Sequence, residues 1–188
     1  MSLMIDQKDR QLMLQSAREA IVAHIKGRPA QWPEHSSAGG QNYGAFVTIH
    51  KKSAHGRRLL RGCIGRIRAD EPLDQVIRTM AVAAAFEDPR FPPLVEKELE
   101  SIDLEISVMS PFESCSPEDI SPGLHGVYLI QGHFSAVFLP QVATEQGWSR
   151  TELLDQLCMK AGIPAGSHTK PDTKLFRFTA TVFGELEE

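Results

Sequence analysis

The chain has 188 residues, 41% of them hydrophobic and 23% charged, with a formal net charge of −4. This balance suits one compact globular domain and excludes a largely disordered chain, while the mild acidity offers no broad basic footprint for nucleic acid or an anionic membrane. No apolar run is long enough for a membrane helix, the N-terminus lacks a secretory pattern, and three scattered cysteines, Cys63, Cys115 and Cys158, form neither a disulfide framework nor a Cys-x-x-Cys pair. A cytoplasmic protein with free thiols is expected, in which Met1-Ser2-Leu3 ahead of Met4 is a candidate cloning remnant.

In chain order, Asp6 is placed to cap a first helix with Asp9 near the positive end of its dipole. Leu14, Ala17, Ile21 and Ile25 form its loose apolar stripe, and Gly27 stops it. Residues 28–44 are rich in Pro, Ser and Gly and read as a mobile loop with Trp32 as a candidate anchor. Residues 44–50 alternate as a strand, 51–57 make a polar connection, and 58–67 return as the second arm of a hairpin. Asp70 ahead of Glu71 and Pro72 predicts a helix start. Leu73, Val76, Ile77, Met80, Ala81 and Ala84 then keep three- and four-residue spacings in the clearest amphipathic helix of the chain. Its alanine-rich end permits close approach to a sheet, and residues 87–93, carrying Pro89, Pro92 and Pro93, break it.

Ile102, Leu104, Ile106 and Val108 alternate with Ser101, Asp103, Glu105 and Ser107, which predicts a half-buried strand with one polar face. Residues 111–123 read as a polar loop. Strands at 127–130 and 134–139 flank Gln131-Gly132-His133 as a second hairpin. Pro140 opens a helical turn closed by Gly147. Ser149 and Glu152 stand at capping-box spacing, Trp148 and Leu153 are placed to staple across the cap, and the helix runs to Gly162 and Pro164. Residues 164–173 read as an exposed loop, and 175–183 as a terminal strand closing the sheet. Hairpins with interspersed helices predict an α+β fold, a mainly antiparallel β-sheet flanked by helices.

The most unusual stretch is Leu60-Arg61-Gly62-Cys63-Ile64-Gly65, a strand that places a thiol between two glycines. Glycine inside a strand marks a bulge, a bend, or the close approach of a ligand or another backbone. This hexapeptide resembles the hallmark of the AMMECR family. Four further stretches agree with the family pattern in the same order: Gly44-Ala45-Phe46-Val47-Thr48, residues 84–94, Leu104-Glu105-Ile106-Ser107-Val108, and Leu139-Pro140-Gln141-Val142-Ala143 running on to Gln146-Gly147-Trp148. The resemblance spans most of the chain and implies a single domain over residues 1–188. It also implies a smaller second lobe, with the hexapeptide near an interlobe cleft. It further implies that the protein is similar to the first component of a three-part set with a Memo-like protein and a radical-SAM protein. No established biochemical activity comes with the resemblance, and the loop before Gly44 matches the family pattern least.

Cys63 is the foremost functional candidate, because a thiolate beside a cation is a good nucleophile, and Arg61 two positions away shares its face if the strand is regular. The plainer alternative is a small buried hydrophobe between glycines. A thiol enzyme needs a base, for which His125 at a strand start is the candidate, against a loop histidine bonded to its neighbours. Asp88 and Arg90 flank Pro89, so Arg90 is placed to clamp a carboxylate or phosphate, or else the two pair with each other. Arg61, Gly62, Gly65, Asp88, Arg90 and Glu105 form the expected ligand-binding set, the ligand being a small molecule or a peptide. His50, His55, Cys63, His125 and His133 fall at no established ligand spacing, and no phosphate loop is present, so neither a metal nor a cofactor is expected. Lys51, Lys52, Arg57, Arg58, Arg61, Arg66 and Arg68 gather positive charge at the first hairpin, the one feature that suits an anion, an acidic partner or RNA. Three functions compete: a ligand-binding protein with cysteine-dependent chemistry, a non-enzymatic adaptor for a peptide or nucleic acid, and a basic RNA module.

Overall fold

The computed structural model describes residues 5–52, 58–68 and 70–186. The fold is α+β, with four α-helices and two four-stranded sheets among the described residues. The chain divides into two compact units, Met1–Met109 with Thr181–Glu188, and Ser110–Ala180.

In the first unit, α1 (Gln7–Lys26) begins where the Asp6 side chain accepts the Asp9 N–H at 2.8 Å and ends at Gly27 in the left-handed region, φ 57°. β1 (Ala45–Lys52) and β2 (Arg58–Arg66) form the predicted antiparallel pair, and the connection with His55, Gly56 and Arg57 lies outside the described residues. α2 (Leu73–Phe86) starts later than Asp70 suggested: Pro72 occupies the cap position with no side-chain cap, its fixed φ already suiting the helix entry. β3 (Ile102–Met109) pairs antiparallel with β1, giving the order β2-β1-β3 and, at the far edge, β8 (Ala180–Gly184). Ala45, Val47, Ile49, Leu104, Ile106 and Val108 are buried with Met13, Ala17 and Ile21 of α1 and Val76, Ile77 and Ala81 of α2 in one core. The expected polar face of β3 is more buried than alternation alone suggests, with Asp103 and Ser107 almost inaccessible.

The loop at residues 28–44 is held more firmly than its composition implies. Asp9 accepts both the backbone N–H (2.6 Å) and hydroxyl (2.7 Å) of Ser37, and Asp74 accepts the Ser36 hydroxyl at 2.9 Å. Both carboxylates sit in first helical turns and are buried, so each needs these donors.

The second unit contains β4 (Glu113–Cys115), β5 (Gly126–Gln131), β6 (Phe134–Phe138) and β7 (Thr173–Phe178) in the order β4-β7-β5-β6. β5 and β6 are the expected hairpin around Gly132, φ 59°. α3 (Pro140–Gln146) closes at left-handed Gly147, and α4 (Arg150–Ala161) carries the full capping box, with the Ser149 hydroxyl and Glu152 each meeting the other's backbone N–H. Its core joins Leu153, Leu154 and Leu157 to Val127, Leu129 and Leu175. Two expectations change here. Residues 111–123 are not wholly loop, since β4 pairs with β7 and Pro117–Asp119 forms a 3-10 turn capped by Ser116. The terminal alternation at 175–183 is two strands, with β7 in one sheet and β8 in the other; a continuous period-2 pattern does not mark where a strand changes sheets.

Candidate functional site at the Cys63 strand edge

β2 is an edge strand, so its outward backbone groups need partners from outside the sheet. At Cys63 they come from the turn that ends α2. The buried Asp88 carboxylate accepts the Cys63 N–H at 2.9 Å, and Arg90 Nη2 donates to the Cys63 carbonyl at 3.4 Å. Asp88 also accepts from Arg90 N (3.1 Å), Nε (2.9 Å) and Nη2 (2.7 Å). With these donors around it, foremost the Arg90 guanidinium, the Asp88 carboxyl is held far below the usual carboxylate range. It stays ionised and positions the Cys63 backbone; it has no proton to give near neutral pH. The Arg90 side chain is 55% exposed, and it keeps donor capacity for a ligand.

The half-buried Cys63 stands opposite Thr48, whose hydroxyl donates to Sγ at 3.3 Å, and Thr48 stands opposite Glu105 on β3. Cys63, Thr48 and Glu105 thus form one cross-strand row. Next along β1 and β3, His50 faces Asp103, and Arg58 bonds Asp103, Glu105 at 3.4 Å and His50 Nδ1 at 3.0 Å. Burial and the Arg58 charge push the His50 imidazole below its ordinary value, which favours its neutral form.

The regular-strand premise for Arg61 fails at a bulge: Ile49 pairs with Gly62 but His50 pairs with Leu60, leaving Arg61 as the extra residue. Its guanidinium grips Glu98 through Nε and Nη2, both at 3.1 Å, and donates to the Pro92 carbonyl at 3.0 Å. Arg61 is therefore buried and ties the hexapeptide to residues 92–98. What approaches Gly62 is the chain itself, because a Cβ there would fall on the Ala84 carbonyl oxygen, while one at Gly65 would strike the Phe46 ring. The alanine-rich end of α2 and Gly62 are thus two halves of one close contact.

His125 belongs to the second unit, where its Nδ1 accepts the Ser121 N–H at 3.0 Å, and burial with the Arg177 charge lowers its pKa. Among the described residues no three His, Cys, Asp or Glu side chains are grouped to hold a metal ion. The hairpin's positive charge is largely committed: Lys51 and Arg61 pair with Glu98, Arg58 with Asp103 and Glu105, and Arg66 with Glu71. Sequence reasoning missed Thr48 and Glu98 as partners of the hexapeptide. Thr48 lay in a stretch already singled out, whereas Glu98 carried no local signal.

The AMMECR1 family model matches residues 14–183. The chain belongs to the AMMECR1 family. It is 38% identical over 183 residues to a protein of Thermococcus gammatolerans, covering 93% of this chain and 89% of that one. It is 39% identical over 185 residues to one of Methanothermobacter thermautotrophicus, covering 92% of each. The crystal structure of the uncharacterized protein PH0010 from Pyrococcus horikoshii has a TM-score of 0.84 at 32% identity, over 97% of this chain and 94% of that one. The AMMECR1 match includes the hexapeptide, the Asp88-Pro89-Arg90 turn and β3, so the whole edge clamp lies within the family segment.

Proposed function

We propose that this protein binds a small ligand beside the hexapeptide, with Arg90 meeting an anionic group and Cys63 presenting its thiol, and that it acts alongside Memo-like and radical-SAM proteins. The observation that carries this reading is the clamp on Cys63. A buried carboxylate and a half-exposed guanidinium fix the backbone of a thiol that is itself only half-buried. Holding a nucleophile's backbone rigid while leaving its side chain reachable is what positioned chemistry requires. In the catalytic form of the proposal, the Cys63 sulfur attacks an electrophilic carbon as the thiolate. The thiol first gives its proton to solvent, the S–C bond forms as the leaving-group bond breaks, and the departing group takes a proton from solvent. Water or an acceptor nucleophile then displaces the sulfur, losing its own proton to solvent and releasing the thiolate.

Alkylation under native conditions tests the site. Cys63 is expected to react with iodoacetate and iodoacetamide, and Arg90→Gln is expected to slow iodoacetate about three- to tenfold more than neutral iodoacetamide, as loss of an adjacent cation requires. A Cys63 that labels only on unfolding makes the thiol a packing residue. The second reading, a non-enzymatic peptide adaptor, is favoured by Leu59 and Leu60, 49% and 42% exposed on the same edge strand. It predicts peptide binding that survives Cys63→Ser and is lost in Leu60→Asp.

A further inference from the structure

A cavity of about 660 Å³ opens in the first unit between α1, residues 28–32 and α2. Its floor is small and apolar, with Ala20, Ala23 and Ala83 beside Met80. Its polar lining is His24, Arg28, Arg66, Arg78, Thr79 and Glu87, with Trp32 forming an aromatic wall. Two of the three guanidinium groups are already committed, Arg28 to Glu19 at 2.7 and 3.0 Å and Arg66 to Glu71. Arg78 is different. Its Nε and Nη2 are buried with no hydrogen-bond partner among the described residues, and its only charge-related contact there is the Trp32 ring, 4.2 Å from Cζ to centroid.

Buried donors left unpaired are uncommon, and a guanidinium stacked on tryptophan has its plane covered while its edge still lacks acceptors. Nε and Nη2 are the adjacent pair on one edge of the fork, at the spacing of two oxygens of a carboxylate or phosphate. Trp32 is 46% exposed, so its ring has room to yield to an incoming group. A second flat surface is available at His24, which stacks on Phe86 at 4.3 Å. The volume suits a small organic molecule, and Glu87 is exposed to water at the rim, where its charge is screened.

We propose that this cavity binds a small aromatic oxyanion, a flat apolar ring bearing a carboxylate or a phosphate, with the oxyanion on Nε and Nη2 of Arg78 and the ring beside Trp32. The site contains neither Cys63 nor Arg90 and stands independently of the thiol reading.

Calorimetric titration with indole-3-acetate and with phenyl phosphate, using indole and inorganic phosphate as controls, tests it. At least one aryl oxyanion binds saturably, about tenfold or more tighter than either control, and which one does assigns the head group. Arg78→Lys, which keeps the charge and removes the fork, weakens that binding about tenfold or more at an unchanged melting temperature. The ¹H–¹⁵N signal of Arg78 Nε in the wild-type protein shifts with the same saturation curve, a readout that holds even if the variant folds poorly. Absence of saturable binding below about 10 mM, equal affinity for indole and indole-3-acetate, or an Nε signal unmoved at saturation overturns the proposal.

Discussion

Arg61 and Glu98 show how a residue chosen for reactivity turns out to be held for structure. The side chains are 10% and 12% exposed and meet through two parallel hydrogen bonds, with Lys51 adding a third donor to Glu98 at 3.2 Å. Arg61 in first place, then the Val95 N–H and Lys51, push the Glu98 carboxyl down to about 2 from an ordinary 4.5. A depressed carboxyl stabilises the fold fully above its unfolded value and loses that contribution as pH falls through the folded one. This pair therefore supports the protein above pH 4.5 and fails between there and about 2. Arg61→Met leaves Glu98 with weaker compensation and is expected to destabilise by about 2–4 kcal/mol at pH 7. Urea unfolding at pH 7 and pH 2.5 checks it: the gap between variant and wild type narrows at low pH, because the unfolded-state Glu98 carboxyl is already protonated there and most of the pair's contribution is lost as pH approaches the folded value of about 2.

At the scale of elements, the hexapeptide is an edge strand shaped by what lies behind it. Gly62 lets α2 come down on β2 at Ala84, and the bulge at Arg61 re-aims that side chain. Gly62→Ala is expected to cost about 1–3 kcal/mol, since the obstructing atom is a backbone carbonyl that cannot rotate away. Gly40→Ala, with nothing within 4 Å of its Cβ, is the matched control and is expected to be near neutral. Thermal melts of the two variants make the comparison. The strand alternations, the Pro140 helix start and the glycine stops were legible because each is decided by neighbours within a few residues. The bulge was not, because it depends on an opposing strand and a helix carbonyl distant in sequence.

At the scale of the whole molecule, two separate apolar clusters carry the stability, one on each sheet. Leu157 is fully buried in the second, and Leu157→Ala is expected to cost about 3 kcal/mol through the cavity it leaves. Native-state hydrogen exchange should accelerate most at residues 110–180 and least in β1 and β3. Uniform acceleration along the chain would mean that the two clusters melt as one. No helix among the described residues is long and apolar enough to cross a membrane.

The sequence by itself determined the family, the α+β class, nearly every element and the stretch on which the candidate site stands. These rest on local periodicity, caps and ordered motifs. Tertiary structure alone decided that the terminal alternation is two strands in two sheets, that Arg61 is a buried tether, and that Asp88 and Arg90 clamp the Cys63 backbone. It also decided that Arg78 and Trp32 face one cavity. Each of these depends on which groups the fold brings to a strand edge or a buried donor, and that pairing leaves no mark in the spacing of residues along the chain.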